Sequence, residues 1–157
     1  MAIIERYFEQ ARILLGKTPW RLQVEGESRK WDEIGKESIM LQLLGPAHGR
    51  VGQLGWRTKT MRLGLLTVLA LARYEKEKSE YPEGLDVLVE AGYLKDIPND
   101  PYSDSTLVYK KTDKSFILYS LGENLSDDGG QVARRDDGVI KQWASDGDWV
   151  FWPVPKS

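Results

Sequence analysis

The sequence contains no cysteine and only one histidine, His48. The absence of cysteine excludes disulfides, thiol nucleophiles and thiolate metal sites. A Ser-His-Asp triad would have to use His48, which lies in the Gly- and Pro-rich segment 45–49 that we interpret as an exposed joint. The metal sites that remain open to this chain are therefore those built from hard oxygen ligands.

The chain also lacks a basic excess and a long apolar run. Its formal net charge is −2, so there is no surplus of cations to neutralise nucleic-acid phosphates. No segment approaches the roughly 20 apolar residues that span a bilayer. Glu5 and Arg6 stand where a signal peptide has its apolar core. We expect no nucleic-acid partner, and no membrane segment or leader within this chain.

Apolar residues at spacings of three and four predict helices in the first half of the chain. The expected helices cover residues 3–15, 32–44 and 54–79. Gly16 and Pro19 should end the first, and Gly45-Pro46 should end the second, because these residues interrupt helices. Leu22 and Val24 indicate a short extended piece between the first two helices.

The second half predicts a small antiparallel sheet. Strand-like runs over 106–110 and 116–121 are joined by a short polar turn, which is typical of a β-hairpin. A further run over 149–152 predicts a last strand, after a long loop from Gly122 to about Gly147. Leu85, Leu88 and Val89 are spaced for one face of a short helix that precedes the hairpin.

Helices followed by strands indicate an α+β protein. We expect N-terminal helices, including one long helix, to pack on a small antiparallel sheet. The change of character along the chain divides it into a helical N-terminal extension over residues 1–55 and an α+β domain over residues 56–157.

One acidic, glycine-bearing stretch is the main candidate for a functional site. Residues 122–130 follow the second strand and carry several acids, and a second acidic cluster at residues 146–148 precedes the last strand. Oxygen-rich loops between strands are typical of calcium sites, but they are also typical of ordinary polar turns. Repulsion between these acids favours a bound cation, whereas Arg134, Arg135 and Lys141 are cations that could serve instead.

The first acidic cluster does not satisfy the EF-hand pattern. Asn124, Ser126, Asp128 and Gly129 fit the first, third, fifth and sixth positions of that loop, but Arg135 occupies the twelfth, where a bidentate glutamate is needed. A calcium site would therefore be split, with the second acidic cluster completing it if the sheet brings the two ends of the loop together.

Two other functions are compatible with the sequence. Trp143, Trp149 and Trp152 could form a surface for a glycan or a protein partner, although such residues more often pack in a core. A glycosidase would need paired carboxylates from the acidic loop. We expect the protein not to be an enzyme, because these loop acids have neither a supporting pocket nor a base in the sequence.

Several segments together resemble the globular domain of a known family. They are Ala72-Arg73-Tyr74, Tyr81-Pro82, Gly92-Tyr93-Leu94, Ile97-Pro98-Asn99-Asp100-Pro101, Val108-Tyr109 and Tyr119-Ser120-Leu121-Gly122. In this order and spacing they are similar to the C-terminal domain of the major pseudopilins of type II secretion systems, the general secretion pathway protein G family. The resemblance covers about residues 60–152. Residues 1–55, the absence of an apolar N-terminal helix and an insertion around residues 133–137 depart from the family pattern.

The resemblance implies a pilin-like fold and a structural or assembly role in bacterial protein secretion. It implies other protein subunits as partners and a periplasmic or cell-surface location, either as a free protein or as the soluble part of a membrane-anchored protein. It also implies a calcium ion in the loop after Leu121-Gly122. The positions that match the calcium-binding loop are Leu121, Asn124, Asp127, Asp128, Asp146 and Asp148.

Overall fold

The computed structural model describes residues 3–141 and 143–155 and has the mixed helix and sheet content of an α+β protein. The chain forms two compact units, one up to Thr58 and the other from Lys59 onward. The expected division between residues 55 and 56 lies close to this position. Five helices and three strands occur in the described residues: α1 (Ile3–Gly16), α2 (Pro19–Val24), α3 (Glu27–Lys36), α4 (Ile39–Lys78), α5 (Leu85–Glu90), β1 (Val108–Lys111), β2 (Phe116–Ser120) and β3 (Trp149–Trp152).

The first unit is held together by contacts between α1 and α3. Tyr7 and Ala11 bury the inner face of α1. Beside them, the side-chain amide of Gln10 donates to the Glu27 carboxylate at 2.8 Å, and Lys17 and Lys30 approach the other oxygen of Glu27 at 3.1 and 3.2 Å. These three donors lower the pKa of Glu27 from 4.5 to about 2, with the Gln10 hydrogen bond contributing most.

The expected extended piece at Leu22 and Val24 is wrong, because these residues lie in α2. The side chain of Thr18 accepts a hydrogen bond from the Arg21 backbone N–H at 3.3 Å and so caps the helix. Pro19 follows at the first helical position, where a missing N–H costs nothing. Pro19 therefore starts a new helix as well as separating it from α1.

The expected helix over residues 32–44, with its end at Gly45-Pro46, is also wrong. Residues 27–36 form α3, and α4 begins at Ile39 and continues through Pro46. Proline inside a helix leaves the carbonyl four residues earlier without its donor. Gln42 and Pro46 are exposed and line an open groove in the first unit, so water can reach that carbonyl. The backbone of His48 lies in the same helix rather than in a joint.

The second unit has one apolar core between helices and sheet. Its buried residues come from α4, α5, the segment before β1, and β2: Ala70, Leu71, Leu85, Leu88, Leu107, Phe116 and Leu118. Gly64 of α4 allows the closest approach to the sheet, because a Cβ at that position would lie 2.4 Å from the ring of Phe151. Packing of the long helix against the small sheet is as the sequence predicts.

The three strands form an antiparallel sheet in the order β1-β2-β3. Phe116 and Leu118 of β2 face the helical core. Tyr119 is fully buried on the opposite face, where the acidic loop covers it, and a Cβ on Gly130 would lie 3.5 Å from its ring. The central strand is thus covered on both faces, and this arrangement places the candidate loop directly on the sheet.

None of the helices in the described part of the chain combines the length and the apolar character needed to cross a bilayer.

Candidate functional site

The long loop between β2 and β3 is closed at its base by backbone pairing. The Asp148 N–H donates to the Gln131 carbonyl at 2.8 Å, and Val132 pairs with Gly147 in an isolated antiparallel bridge. Gly147 has φ +79°, and a Cβ there would lie 2.6 Å from the Ala133 nitrogen, so only glycine fits. We call this closed base, residues 130–132 with 147–148, the neck. It brings Asp148 of the second acidic cluster near Asp127 and Asp128 of the first.

Asp148 is the acid that the neck buries. Its side chain accepts a hydrogen bond from the Gly130 N–H at 2.7 Å through Oδ2. Its other oxygen, Oδ1, is buried and has no hydrogen-bond partner among the described residues. Burial raises the pKa of the Asp148 carboxyl; the backbone N–H groups of Gly130 and Asp128 act in the opposite direction, and the nearby Asp128 and Asp127 carboxylates add to the rise. An unpaired carboxylate oxygen beside two other acids is a position that a cation would stabilise.

Asp127 lies at the end of a hydrogen-bond chain that starts on the sheet. Its Oδ1 accepts from the Tyr119 hydroxyl at 2.8 Å and from the Gly129 N–H at 2.9 Å. These two donors, the tyrosine first, lower the pKa of Asp127. The Tyr119 hydroxyl in turn accepts from the Lys110 ammonium at 2.9 Å. Asp127 therefore stays ionised and is held in a fixed orientation toward the sheet.

The side chains of Asn124 and Asp128 are joined by a hydrogen bond. The Asn124 amide donates to Asp128 Oδ2 at 2.7 Å, and its oxygen accepts from the Ser126 N–H at 3.1 Å. The oxygen atoms of both side chains take part in a local turn.

The two remaining predicted ligands lie at the margins of the site. The Leu121 N–H donates to Asp100 Oδ2 at 2.9 Å, which fixes the backbone where the loop leaves β2. Asp146 is exposed, one residue before the neck. Across residues 3–141 and 143–155, no group of three or more acidic or histidine side chains is gathered closely enough to hold a metal ion.

The donor set nevertheless fits a hard cation in its chemistry. Every candidate ligand is an oxygen, as calcium prefers, and the buried Asp148 Oδ1 is an acceptor that the described residues leave unused. The fit is incomplete in geometry, because no three acidic side chains among the described residues gather closely enough to hold a metal ion.

Asp100 is a structural residue of the site that the sequence did not single out. It is 2% exposed, and its carboxylate accepts from the Tyr102 N–H at 3.0 Å, the Ser120 hydroxyl at 2.7 Å and the Leu121 N–H at 2.9 Å. Burial raises its pKa although all three donors act in the opposite direction. Asp100 joins the proline-rich loop to the end of β2. Its position before Pro101 is the one signal in the sequence, since aspartates in turns often accept from the N–H two residues later.

The C-terminal tryptophans are used for packing. Trp149 is buried, and its ring contacts Tyr102 at 4.6 Å and Trp143 at 4.8 Å between centroids. Trp152 stacks on Phe116 at 5.7 Å, and its indole N–H donates to the Ser115 hydroxyl at 2.9 Å. These rings face other aromatic side chains rather than forming an open platform for a sugar.

Comparison of the chain with protein-family models, with curated proteins and with solved structures found no match.

Proposed function

We propose that this protein is a non-enzymatic structural or assembly protein similar to the major pseudopilin of type II secretion, with a pilin-like second unit. The order of its parts supports the proposal: a long helix packs on a three-stranded antiparallel sheet, and an acidic loop lies between β2 and β3. The observation that carries it is the buried, unpaired Oδ1 of Asp148 at the neck of that loop.

In the proposed mechanism a calcium ion joins the two acidic clusters. Asp148 would be the buried ligand, with Asp127, Asp128 and Asn124 on the other side of the neck. The Leu121 carbonyl and Asp146 would complete the site from its margins. When bound, the ion would supply positive charge and so remove the repulsion between Asp148 and the acids at residues 127–128. Its effect would be to fix the loop on the face of the sheet that contains Tyr119.

The proposed partners are other protein subunits, and the proposed location is periplasmic or at the cell surface. Extracellular calcium modules bind with dissociation constants of about 0.1–1 mM, which suits a site that assembles only partly without its ion. The outer face of α4 supports subunit contact, because Met61, Leu65 and Leu69 are each about half exposed at a spacing of four residues. An exposed apolar stripe of this kind is typical of an interaction surface.

The experiment that tests the function is thermal unfolding in EDTA and in millimolar calcium. We expect calcium at about 10 mM to raise the Tm of the protein by several degrees, since a ligand at about 10 to 100 times its Kd stabilises by about 1.4–2.7 kcal/mol. Magnesium at the same concentration is the control, because it prefers a rigid octahedral site. Identical melting curves in EDTA and in calcium would rule out the proposed mechanism.

A further inference from the structure

The middle of α4 is apolar on its exposed side as well as on the side that packs in the core. Leu71 is fully buried, whereas Met61, Leu65 and Leu69 are 52%, 58% and 57% exposed. The three exposed residues follow one another at intervals of four, and Ala72, which is also exposed, continues their line over about three turns. We call this line the α4 stripe. A helix that is apolar all round is typically covered on all sides, so the stripe is expected to have a partner.

The charged residues along the stripe are mostly basic. Residues 61–76 contain three basic residues and one acid, which are Arg62, Arg73, Lys76 and Glu75. The three basic residues are exposed, and Glu75 is half-buried. Arg62 and Arg73 are separated by close to three full turns, so they lie on the same side of the stripe, about 16 Å apart along the helix. Arg73 also pairs with Glu77 of its own helix at 3.0 Å. The stripe is therefore an apolar surface with a basic margin.

A second copy of the chain fits this surface poorly. In a parallel pair of helices, Arg62 would face Arg62 of the other copy. In an antiparallel pair centred on the stripe, Arg62 would lie near Arg73 of the other copy. Both arrangements bring like charges together, which disfavours that partner. The complementary surface is a helix that has an apolar face with acidic residues beside it.

We propose that the α4 stripe binds an amphipathic helix of another protein subunit, with acidic residues of that helix beside Arg62 and Lys76. The proposal rests on the assembly role proposed above and adds the chemistry of the partner. Leu65 and Leu69 contact the apolar face of the docked helix, because helices pack through rows of side chains three and four residues apart. The acidic residues fix the position of that helix along the stripe and favour it over basic helices.

The test uses two synthetic peptides of about 18 residues, or five helical turns, each with leucines along one helical face. One peptide has glutamates beside that face and the other has lysines. Fluorescence anisotropy at low salt measures the Kd of each peptide for the full chain. We expect the acidic peptide to bind about tenfold more tightly, because two or three exposed ion pairs together contribute about that factor. Salt at about 0.5 M should remove the difference, since it screens exposed charges.

The apolar part of the surface is tested by the double variant Leu65→Gln with Leu69→Gln. It should abolish binding of the acidic peptide, while its Tm stays within a few degrees of wild type because both side chains are exposed. Leu43→Gln is the matched control. Leu43 is a 77% exposed leucine of the same helix outside the stripe, so this variant should bind the acidic peptide as the wild type does.

The basic margin is tested by the double variant Arg62→Glu with Lys76→Glu, which should bind the lysine peptide more tightly than the acidic one. Lys114→Glu with Lys141→Glu changes the net charge equally at two exposed lysines outside α4 and should leave the order of the two peptides unchanged. Absence of binding by the acidic peptide, or equal binding of the two peptides by wild type, would overturn the docking proposal.

Sedimentation velocity distinguishes a second copy from the proposed partner. A wild-type dimer that dissociates in the Leu65→Gln with Leu69→Gln variant would overturn the proposal, because the stripe would then bind another copy of the chain. The melting curves in EDTA and calcium test the proposed function independently. A calcium response without peptide binding leaves that function intact, whereas peptide binding without a calcium response removes the calcium mechanism and leaves the docking surface standing.

Discussion

Among single residues, Asp148 combines a buried carboxylate with an oxygen that has no hydrogen-bond partner among the described residues. Keeping a charge in this position costs free energy unless a cation or several donors compensate it. Asp100 is equally buried, but its carboxylate receives three hydrogen bonds. The two buried carboxylates therefore differ in how fully hydrogen bonds compensate their charge.

The Asp148→Asn variant tests two effects of the Asp148 charge: its destabilisation of the metal-free protein and its contribution to calcium binding. The amide oxygen can still accept from the Gly130 N–H, while repulsion with Asp127 and Asp128 disappears. We therefore expect a Tm in EDTA at or above that of wild type and no increase on adding calcium. Differential scanning fluorimetry measures both values.

Asp113→Asn is the control for that variant, because Asp113 is an exposed acid in the turn between β1 and β2. It should leave the calcium response unchanged. A full calcium response in the Asp148→Asn protein would remove Asp148 from the proposed ligands.

At the level of elements, the contact between α4 and β3 depends on the missing side chain of Gly64. A Cβ there would lie 2.4–2.5 Å from three carbons of the Phe151 ring, so the ring or the helix must move. We expect Gly64→Ala to destabilise the protein by about 1–3 kcal/mol, the usual cost of overpacking. Urea denaturation measures this difference.

Gly55→Ala is the matched control in the same helix, because a Cβ at Gly55 meets nothing within 4 Å. It should stabilise the protein by about 0.5–1 kcal/mol through the higher helix propensity of alanine. A Gly64→Ala protein as stable as the Gly55→Ala protein would show that the helix–strand contact is loose.

The sequence predicted the elements whose signals are local. The apolar runs of β1 and β2, their polar turn and the spacing of Leu85 and Leu88 all lie within a few residues, and the structure places these elements as expected. The continuation of α4 through Pro46 was not predictable, because solvation of the freed carbonyl depends on where the helix faces water. The prediction of an extended piece at Leu22 and Val24 was wrong for a related reason. The helix start made by the Thr18 cap and Pro19 outweighs the preference of Leu22 and Val24 for strands.

Of the candidate site, only the acidic residues could be predicted from the sequence. Composition pointed to Asp127, Asp128 and Asp148, and the strands at both ends of the loop indicated that the clusters would meet. Lys110 and Asp100 reach the site from distant parts of the chain, through Tyr119 and Ser120. Such contacts depend on the strand register and on loop closure, which no local pattern in the sequence encodes.

For the whole molecule, Glu27 in the first unit and the buried pair Asp100 and Asp148 in the second should respond to acid in opposite directions, although Asp127 in the second unit has a lowered pKa and acts like Glu27. The lowered pKa of Glu27 means that its stabilising contribution is complete above pH 4.5 and is lost as the pH falls toward about 2. The raised pKa values of Asp100 and Asp148 mean that their charged forms cost stability, and acid relieves this cost.

Hydrogen exchange at pH 5 and pH 3, corrected for intrinsic rates, can follow the two units separately. We expect protection to fall in α1 and α3 at the lower pH, while β2 and the neck keep theirs. Glu27→Gln should remove the pH dependence of α1 and α3 in this range. A uniform loss of protection along the chain would contradict the assignment of opposite signs to the two units.

The neck also has a consequence for how the chain tolerates change in length. Beyond it, residues 133–141 form a small hairpin of their own, with Ala133 paired to Lys141 and Arg135 to Val139. Its tip at residues 136–138 is exposed. Insertions or deletions there leave the closed base and its acids in place. This tip is the position at which an epitope or a fluorescent label can be inserted, and at which related chains can diverge in length while keeping one common site.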